Sequence, residues 1–178
     1  MIGFKVPAGS IRYTILDVET TGLSPAIGDR IIEIGAVAIQ ERTVVAEFES
    51  LIHVKKRVPL LVQHIHGITN EMLIGKPGPG EVFPQFREFI GDSTLVAHNA
   101  QFDIRFLRHE FERLGLGLRN RHLCTLEMSR KLYPRLRNHK LETVYRHLFG
   151  RTTGEVQTHR ALDDARMVAR IWLEMKEK

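Results

Sequence analysis

The segment Ile31-Ile32-Glu33-Ile34-Gly35-Ala36-Val37-Ala38-Ile39-Gln40 constrains the fold of this chain more than any other. It reads as a strand that is nearly continuous in apolar residues. A strand of that kind is buried on both faces. A sheet that buries its strands on both faces needs helices above and below it, which points to an α/β architecture. The flanking segments agree. Ile11 to Val18 is rich in β-formers and stops at Thr21-Gly22-Leu23-Ser24-Pro25. Thr43 to Ile52 alternates more, and Glu41-Arg42 joins it to the central strand as a hairpin.

Downstream the pattern switches to helices. Pro59 to His66 reads as a short helix with Pro near its start and Gly67 as its stop; Thr69 can cap a further turn through Leu73. Gly75 to Gly80 reads as an irregular surface loop, and Glu81 to Ile90 as a helix with Val82, Phe86, Phe89 and Ile90 on one face. Thr94 to His98 reads as a fourth strand. Asn99 is placed to cap a helix to about Leu114, ended by Gly115. A short fifth strand is expected at His122 to Thr125, with helices at Leu126 to Tyr133, Leu141 to Phe149 and about Thr158 to Met175. The expectation is one domain over residues 1–178: an α/β protein with a mixed sheet and helices around it.

Composition narrows the function classes. The net charge is +5 and the pI about 9.6, which favours a polyanionic partner. The excess is local: residues 103–151 hold twelve basic residues against five acidic ones, among them Arg105, Arg108, Arg130, Lys131, Arg135, Arg137 and Lys140. Cys124 is the only cysteine, so no internal disulfide can form; a reducing compartment is expected and a structural zinc site is not, although nine histidines could supply nitrogen ligands. No apolar run approaches the ~18 residues of a membrane span, and the N-terminus lacks a signal-peptide core. A soluble cytoplasmic protein is expected.

Three short segments carry chemistry: Asp17-Val18-Glu19-Thr20-Thr21-Gly22-Leu23, His98-Asn99-Ala100-Gln101-Phe102-Asp103 and His159-Arg160-Ala161-Leu162-Asp163-Asp164. Asp17 and Glu19 are two apart on a strand, so they share a face with Cα atoms about 6.6 Å apart. Both can reach one hard cation such as Mg²⁺ or Mn²⁺. Asp103 falls in a helix's first turn, where an acid also complements the helix dipole. The preceding His98 and Asn99, at a strand's carboxyl end, favour a site. Asp164 supplies a fourth carboxylate and His159 a base. The two lie about 140° apart on one continuous helix, so His159 must sit at the helix mouth to share a site with Asp164. Asp163 points about 100° away from Asp164 and is the decoy. His53, His64, His109, His122, His139 and His147 read as structural or surface residues.

Together these segments resemble the three exonuclease motifs of the DEDDh branch of the DnaQ-like 3′–5′ exonucleases. That family includes the proofreading epsilon subunit of bacterial DNA polymerase III and the exonuclease insert of the Gram-positive replicative polymerase. The resemblance runs from about Tyr13 to Trp172 and also rests on residues 31–37, on His66-Gly67-Ile68-Thr69 and on residues 95–100. It implies a ribonuclease H-like fold with a five-stranded mixed sheet. It implies two divalent ions, Mg²⁺ or Mn²⁺: Asp17, Glu19 and Asp164 hold the tighter one, Asp17 and Asp103 the other. His159 takes a proton from the attacking water. A histidine five residues before the last Asp argues against the sister branch, which uses a tyrosine four before it.

The resemblance also implies that Thr20, Thr21, Gly22 and Leu23 line the 3′-terminal nucleotide, with His98, Asn99 and Phe102 beside it and His66 as a weaker candidate. Leu23 is expected to wedge against the last bases; the competing reading has it anchor the turn to the core. The implied activity is removal of nucleoside 5′-monophosphates from single-stranded DNA 3′ ends, in proofreading or repair. RNA ends, or a silent module that binds nucleic acid or polymerase, are the alternatives. Thr20-Thr21-Gly22 after Glu19 is closer to DNA-directed members than to oligoribonucleases, which carry Met-Thr-Gly. The chain stops at Lys178 without the polymerase-binding extension of epsilon subunits, so the expectation is a stand-alone exonuclease or a polymerase subunit without its tail.

Overall fold

The computed structural model describes residues 11–150 and 160–177. The three N-terminal strands are β1 (Arg12–Thr20), β2 (Ile31–Gln40) and β3 (Thr43–Leu51). They form an antiparallel meander, with Glu41 and Arg42 both at positive φ in the tight turn between β2 and β3. Helices α1 (Leu60–His66) and α2 (Pro79–Ile90) follow, and then β4 (Thr94–Ala97), which pairs parallel with β1. Helix α3 (Ala100–Arg113) leads to β5 (His122–Cys124), parallel to β4. Three further helices follow among the described residues: α4 (Thr125–Leu132), α5 (Leu141–Phe149) and α6 (Ala161–Met175). The sheet order is β3-β2-β1-β4-β5, the five-stranded mixed sheet that was expected.

The central strand behaves as its composition requires. Every residue from Ile31 to Ile39 is buried. Ile32, Ile34 and Ala36 face one core with Leu16, Val18, Phe83, Phe86, Ile104 and Phe111, under α2 and α3. Val37 and Ile39 face the other, with Ile15, Leu162, Ala165, Val168 and Trp172, under α6. Glu33 and Gly35 share that second face by strand alternation.

Several boundaries differ from expectation for local reasons. Helix α2 begins at Pro79, inside the segment expected to be loop, because Pro at the first helical position has its φ already set. Strand β1 runs through Thr20, so the Thr20-Thr21 step belongs partly to the sheet. Asn99 precedes α3 as expected but does not cap it with its side chain. Its backbone is left-handed, φ 70° and ψ 45°, a conformation Asn tolerates better than most residues. The start expected for the last helix at about Thr158 lies outside the described residues.

Candidate active site

The site forms at the carboxyl ends of the parallel strands β1 and β4. Strand alternation puts Asp17 and Glu19 on the α6 face, opposite Gly35 and Glu33 of β2. Asp164, in the first turn of α6, comes down onto them. One carboxylate oxygen from each of Asp17, Glu19 and Asp164 lies within 4.8 Å of the others. Asp103 enters from the first turn of α3 and is 3% exposed. These four acids share a cleft of about 230 Å³ with Val18, His98, Asn99, Phe102 and Leu141.

Packing four acids here has an electrostatic cost. Burial, then repulsion from Asp103, Glu19, Asp164 and Glu33, raises the Asp17 carboxyl well above its usual range. Glu19 is pushed up to about 8 by burial first and by Asp164 next. Asp103 is likewise raised to about 8 by burial, against hydrogen bonds from the backbone of Asp103 itself and Val18. Among the described residues no lysine or arginine forms an ion pair with Asp17, Glu19 or Asp103. A set of hard oxygen donors that repel one another is what a small divalent cation relieves. The donor chemistry therefore fits a divalent metal.

The residues expected around the substrate divide into two kinds. Leu23 is 80% exposed, which removes the core-anchor reading; its carbonyl accepts a hydrogen bond from Arg105 at 2.8 Å. Phe102 lines the cleft and packs on Phe106, ring centroids 4.9 Å apart. Asn99 is exposed beside it.

The threonines, by contrast, are engaged within the protein. Thr20 Oγ1 donates to the Gly22 carbonyl at 2.6 Å, and Thr21 Oγ1 donates to Asp29 and accepts from the Arg30 N–H. Gly22 packs against Asp29, whose Oδ2 would lie 2.5 Å from any Cβ added there. Asp29 is itself held by Lys56 at 2.6 Å.

His98 lines the cleft with both ring nitrogens occupied. Nε2 donates to the His139 carbonyl at 2.8 Å, and Nδ1 accepts from the Thr125 hydroxyl at 2.9 Å. Burial keeps its pKa below the usual histidine value. His98 thus pins the loop that carries the exposed Arg135, Arg137 and Lys140. His66 is buried at the end of α1, where Nδ1 accepts from the Ile68 N–H at 3.0 Å, and it is not part of the acid cleft's wall. Asp163 is exposed and paired with Arg166 at 3.0 Å, as its helix position demanded. His159 lies outside the described residues.

Two residues next to the site escaped the sequence reading. Glu33 is fully buried and bonded to Arg160. A lone acid inside a strand buried on both faces was the available signal, because such a charge must find a partner.

Comparison with known proteins gives the family and the fold. The family model RNase_T, described as Exonuclease, matches residues 14–172. A PolC-type DNA polymerase III of Caldanaerobacter subterraneus is 40% identical over 94% of this chain, and the match spans only 12% of that relative. The DNA polymerase III subunit epsilon of Aquifex aeolicus is 32% identical over 93% of this chain and 81% of its own. Among solved structures, exonuclease X in complex with 5′-overhanging duplex DNA superposes with a TM-score of 0.75 at 26% identity, covering 93% of this chain and 91% of its own. Escherichia coli exonuclease I with a dT13 oligonucleotide gives a TM-score of 0.81 at 17% identity over 93% of this chain and 41% of its own, a likeness of fold. The ribonuclease H-like architecture expected from the motifs is thereby shared.

Proposed function

The chain belongs to the RNase_T exonuclease family, with DnaQ-like 3′–5′ exonucleases among its relatives, and on that premise we propose that it trims DNA 3′ ends to nucleoside 5′-monophosphates. The observation that carries the reading is the convergence of Asp17, Glu19 and Asp164 within 4.8 Å, with Asp103 buried beside them. Asp17, Glu19 and Asp164 would hold one divalent ion, Mg²⁺ or Mn²⁺, and Asp17 with Asp103 a second. Bound there, such ions supply an activated water and neutralise charge on the scissile phosphate. His159 would take the proton of that water, a role worth ~10²–10⁴-fold in rate.

The substrate reading follows from what the cleft leaves exposed. Leu23 and Phe102 offer apolar surface to the terminal bases, and Asn99 an adjacent polar group. His98, Thr20 and Thr21 shape the cleft and its turn through the bonds they already make. The basic residues 105–140 would follow the phosphates of a single strand. We take residues 1–178 as one exonuclease domain acting in the cytoplasm. Since its relatives are polymerase III subunits, it would work on ends that a replicative polymerase leaves.

The test is digestion of end-labelled DNA and RNA of one sequence, single- and double-stranded, with Mn²⁺ or Mg²⁺ and with EDTA. The expected result is stepwise shortening of single-stranded DNA from the 3′ end, abolished by EDTA. Faster loss of RNA would move the assignment to an exoribonuclease. No cleavage under any condition would leave a nucleic-acid-binding module.

A further inference from the structure

We propose that Glu33 and Arg160 are positioning residues: their ion pair sets the first turn of α6 so that Asp164 meets Asp17 and Glu19. The proposal rests on the metal-site reading above.

The contacts are directional. Arg160 Nε and Nη2 donate to Glu33 Oε1 at 2.8 and 2.5 Å, and the Ala161 N–H donates to Oε2 at 3.0 Å. Ala161 is the first residue of α6, and Arg160, its N-cap, offers no side-chain cap of its own. Glu33 therefore caps the helix from another strand, 128 residues away in sequence. The first turn continues through the Asp164 N–H, which donates to the Arg160 carbonyl at 3.0 Å. A second contact fixes the height of the helix. A Cβ at Gly35 would lie 2.1 Å from Leu162 N and 2.3 Å from Ala161 C, so the start of α6 lies on the bare β2 backbone.

Rotation is what this clasp controls. Each helical residue turns ~100°. The slip of a single position would replace Asp164 at the acids with Asp163 or Ala165. The apolar stripe of Leu162, Ala165, Val168 and Trp172 sets that rotation along the helix body. The ion pair sets it at the first turn, where Asp164 sits. Stability alone does not account for a fully buried Glu33, because a well-packed apolar pair commonly serves a core as well or better.

The double variant Glu33→Met with Arg160→Met separates the two roles. It removes one charge of each sign, so the protein's net charge stays the same. Three quantities are read: the melting temperature, the Mn²⁺ affinity of the DNA-free protein by calorimetry, and kcat with KM on single-stranded DNA. The expected variant is folded and binds Mn²⁺ ~10–100-fold more weakly, with kcat lowered to a similar degree. Its KM stays within about threefold, because the DNA-contacting surfaces are untouched.

A folded variant with wild-type Mn²⁺ affinity and kcat overturns the proposal. If the double variant does not fold, Glu33→Gln takes the same measurements. Its amide puts a donor against the Arg160 or Ala161 donors, so unchanged Mn²⁺ affinity and kcat there overturn the proposal equally. A wild-type protein that binds Mn²⁺ but cuts nothing refutes the nuclease reading alone, and the Mn²⁺ affinities still decide the positioning role.

Discussion

Glu19 and Glu33 are the same residue type, in register across β1 and β2 and on the same face of the sheet. Cross-strand neighbours of this kind have Cβ atoms about 5 Å apart. Glu33 is sealed from solvent and takes three hydrogen bonds from Arg160 and Ala161. Glu19 is half-buried among Asp17, Asp103 and Asp164, and its carboxyl is pushed up to about 8. The difference lies in where the compensating positive charge comes from. For Glu33 the chain provides it. For Glu19 it must arrive with a bound ion. The source of the counter-charge separates a glutamate that holds the fold from one that awaits a ligand.

The sharpest way to break this contrast is to neutralise each glutamate. Glu19→Gln should lower turnover ~10³-fold or more, the several kcal/mol that metal stabilisation of a phosphoryl transition state is worth. Its metal-free melting temperature should hold or rise, since a repelled charge has been removed. Wild-type turnover in this variant would refute the site. Glu33→Ala should do the opposite to stability. The Arg160 side chain is 32% exposed and lies 3.7 Å from Glu49, so it keeps solvent and a second partner, and losing the three hydrogen bonds to Glu33 costs ~2–3 kcal/mol. For a chain of this size that is roughly 7 °C of melting temperature. A loss of only a degree or two would mean that solvent, not Glu33, satisfies Arg160.

A smaller effect follows pH. Glu19 and Asp103 keep their protons to about 8 in the folded protein but release them near pH 4 once unfolded. Between those values the folded state binds more protons than the unfolded state. Stability of the metal-free protein therefore falls as pH rises through that window and levels off above about 8. Below about pH 6.5 the buried, neutral His98 works in the opposite sense. Melts in EDTA from pH 6.5 to 8.5 should drop by several degrees, and Glu19→Gln should flatten the drop. Added Mn²⁺ should stabilise more at pH 8.5 than at 6.5, because its ligands must be ionised. A melting temperature that climbs with pH in EDTA would contradict the raised carboxyls.

The smallest effect is expected at Leu23. Leu23→Ala should raise KM for oligonucleotides a few-fold, less than the ~1–3 kcal/mol of an aromatic–base stack. It should leave a one-nucleotide chromogenic ester and the melting temperature unchanged. Equal losses on both substrates would deny Leu23 a role in parting bases.

The elements and acids were legible in sequence because each declares itself locally. Helix α5 runs from Leu141 to Phe149 as its periodicity indicated, and the burial of β2 was written in its run of isoleucines. Asp17 and Glu19 share a face by strand alternation alone. What stayed illegible depends on partners far along the chain. That His98 is bound to His139 and Thr125, that Gly22 makes room for Asp29, and that Glu33 grips Arg160 are facts of tertiary contact. No short window of sequence contains both members of the His98 and Glu33 pairs, and Gly22 and Asp29, seven residues apart, meet only through the fold of the turn between them. Asn99 misled for a subtler reason: the residue suits a cap and a left-handed turn equally well, and here it makes the turn.

The acids are drawn from β1, α3 and α6, and α6 is the last element of the sheet's α/β wrap. A chain that emerges and folds from its N-terminus can complete β1 through α3 while the residues of α6 are still being added. At that stage Asp17, Glu19 and Asp103 are present without Asp164, and Glu33 is present without Arg160. On the proposed reading, the order of synthesis would hold back a metal site built from these four acids until α6 docks, and a fragment that ends before α6 would lack it.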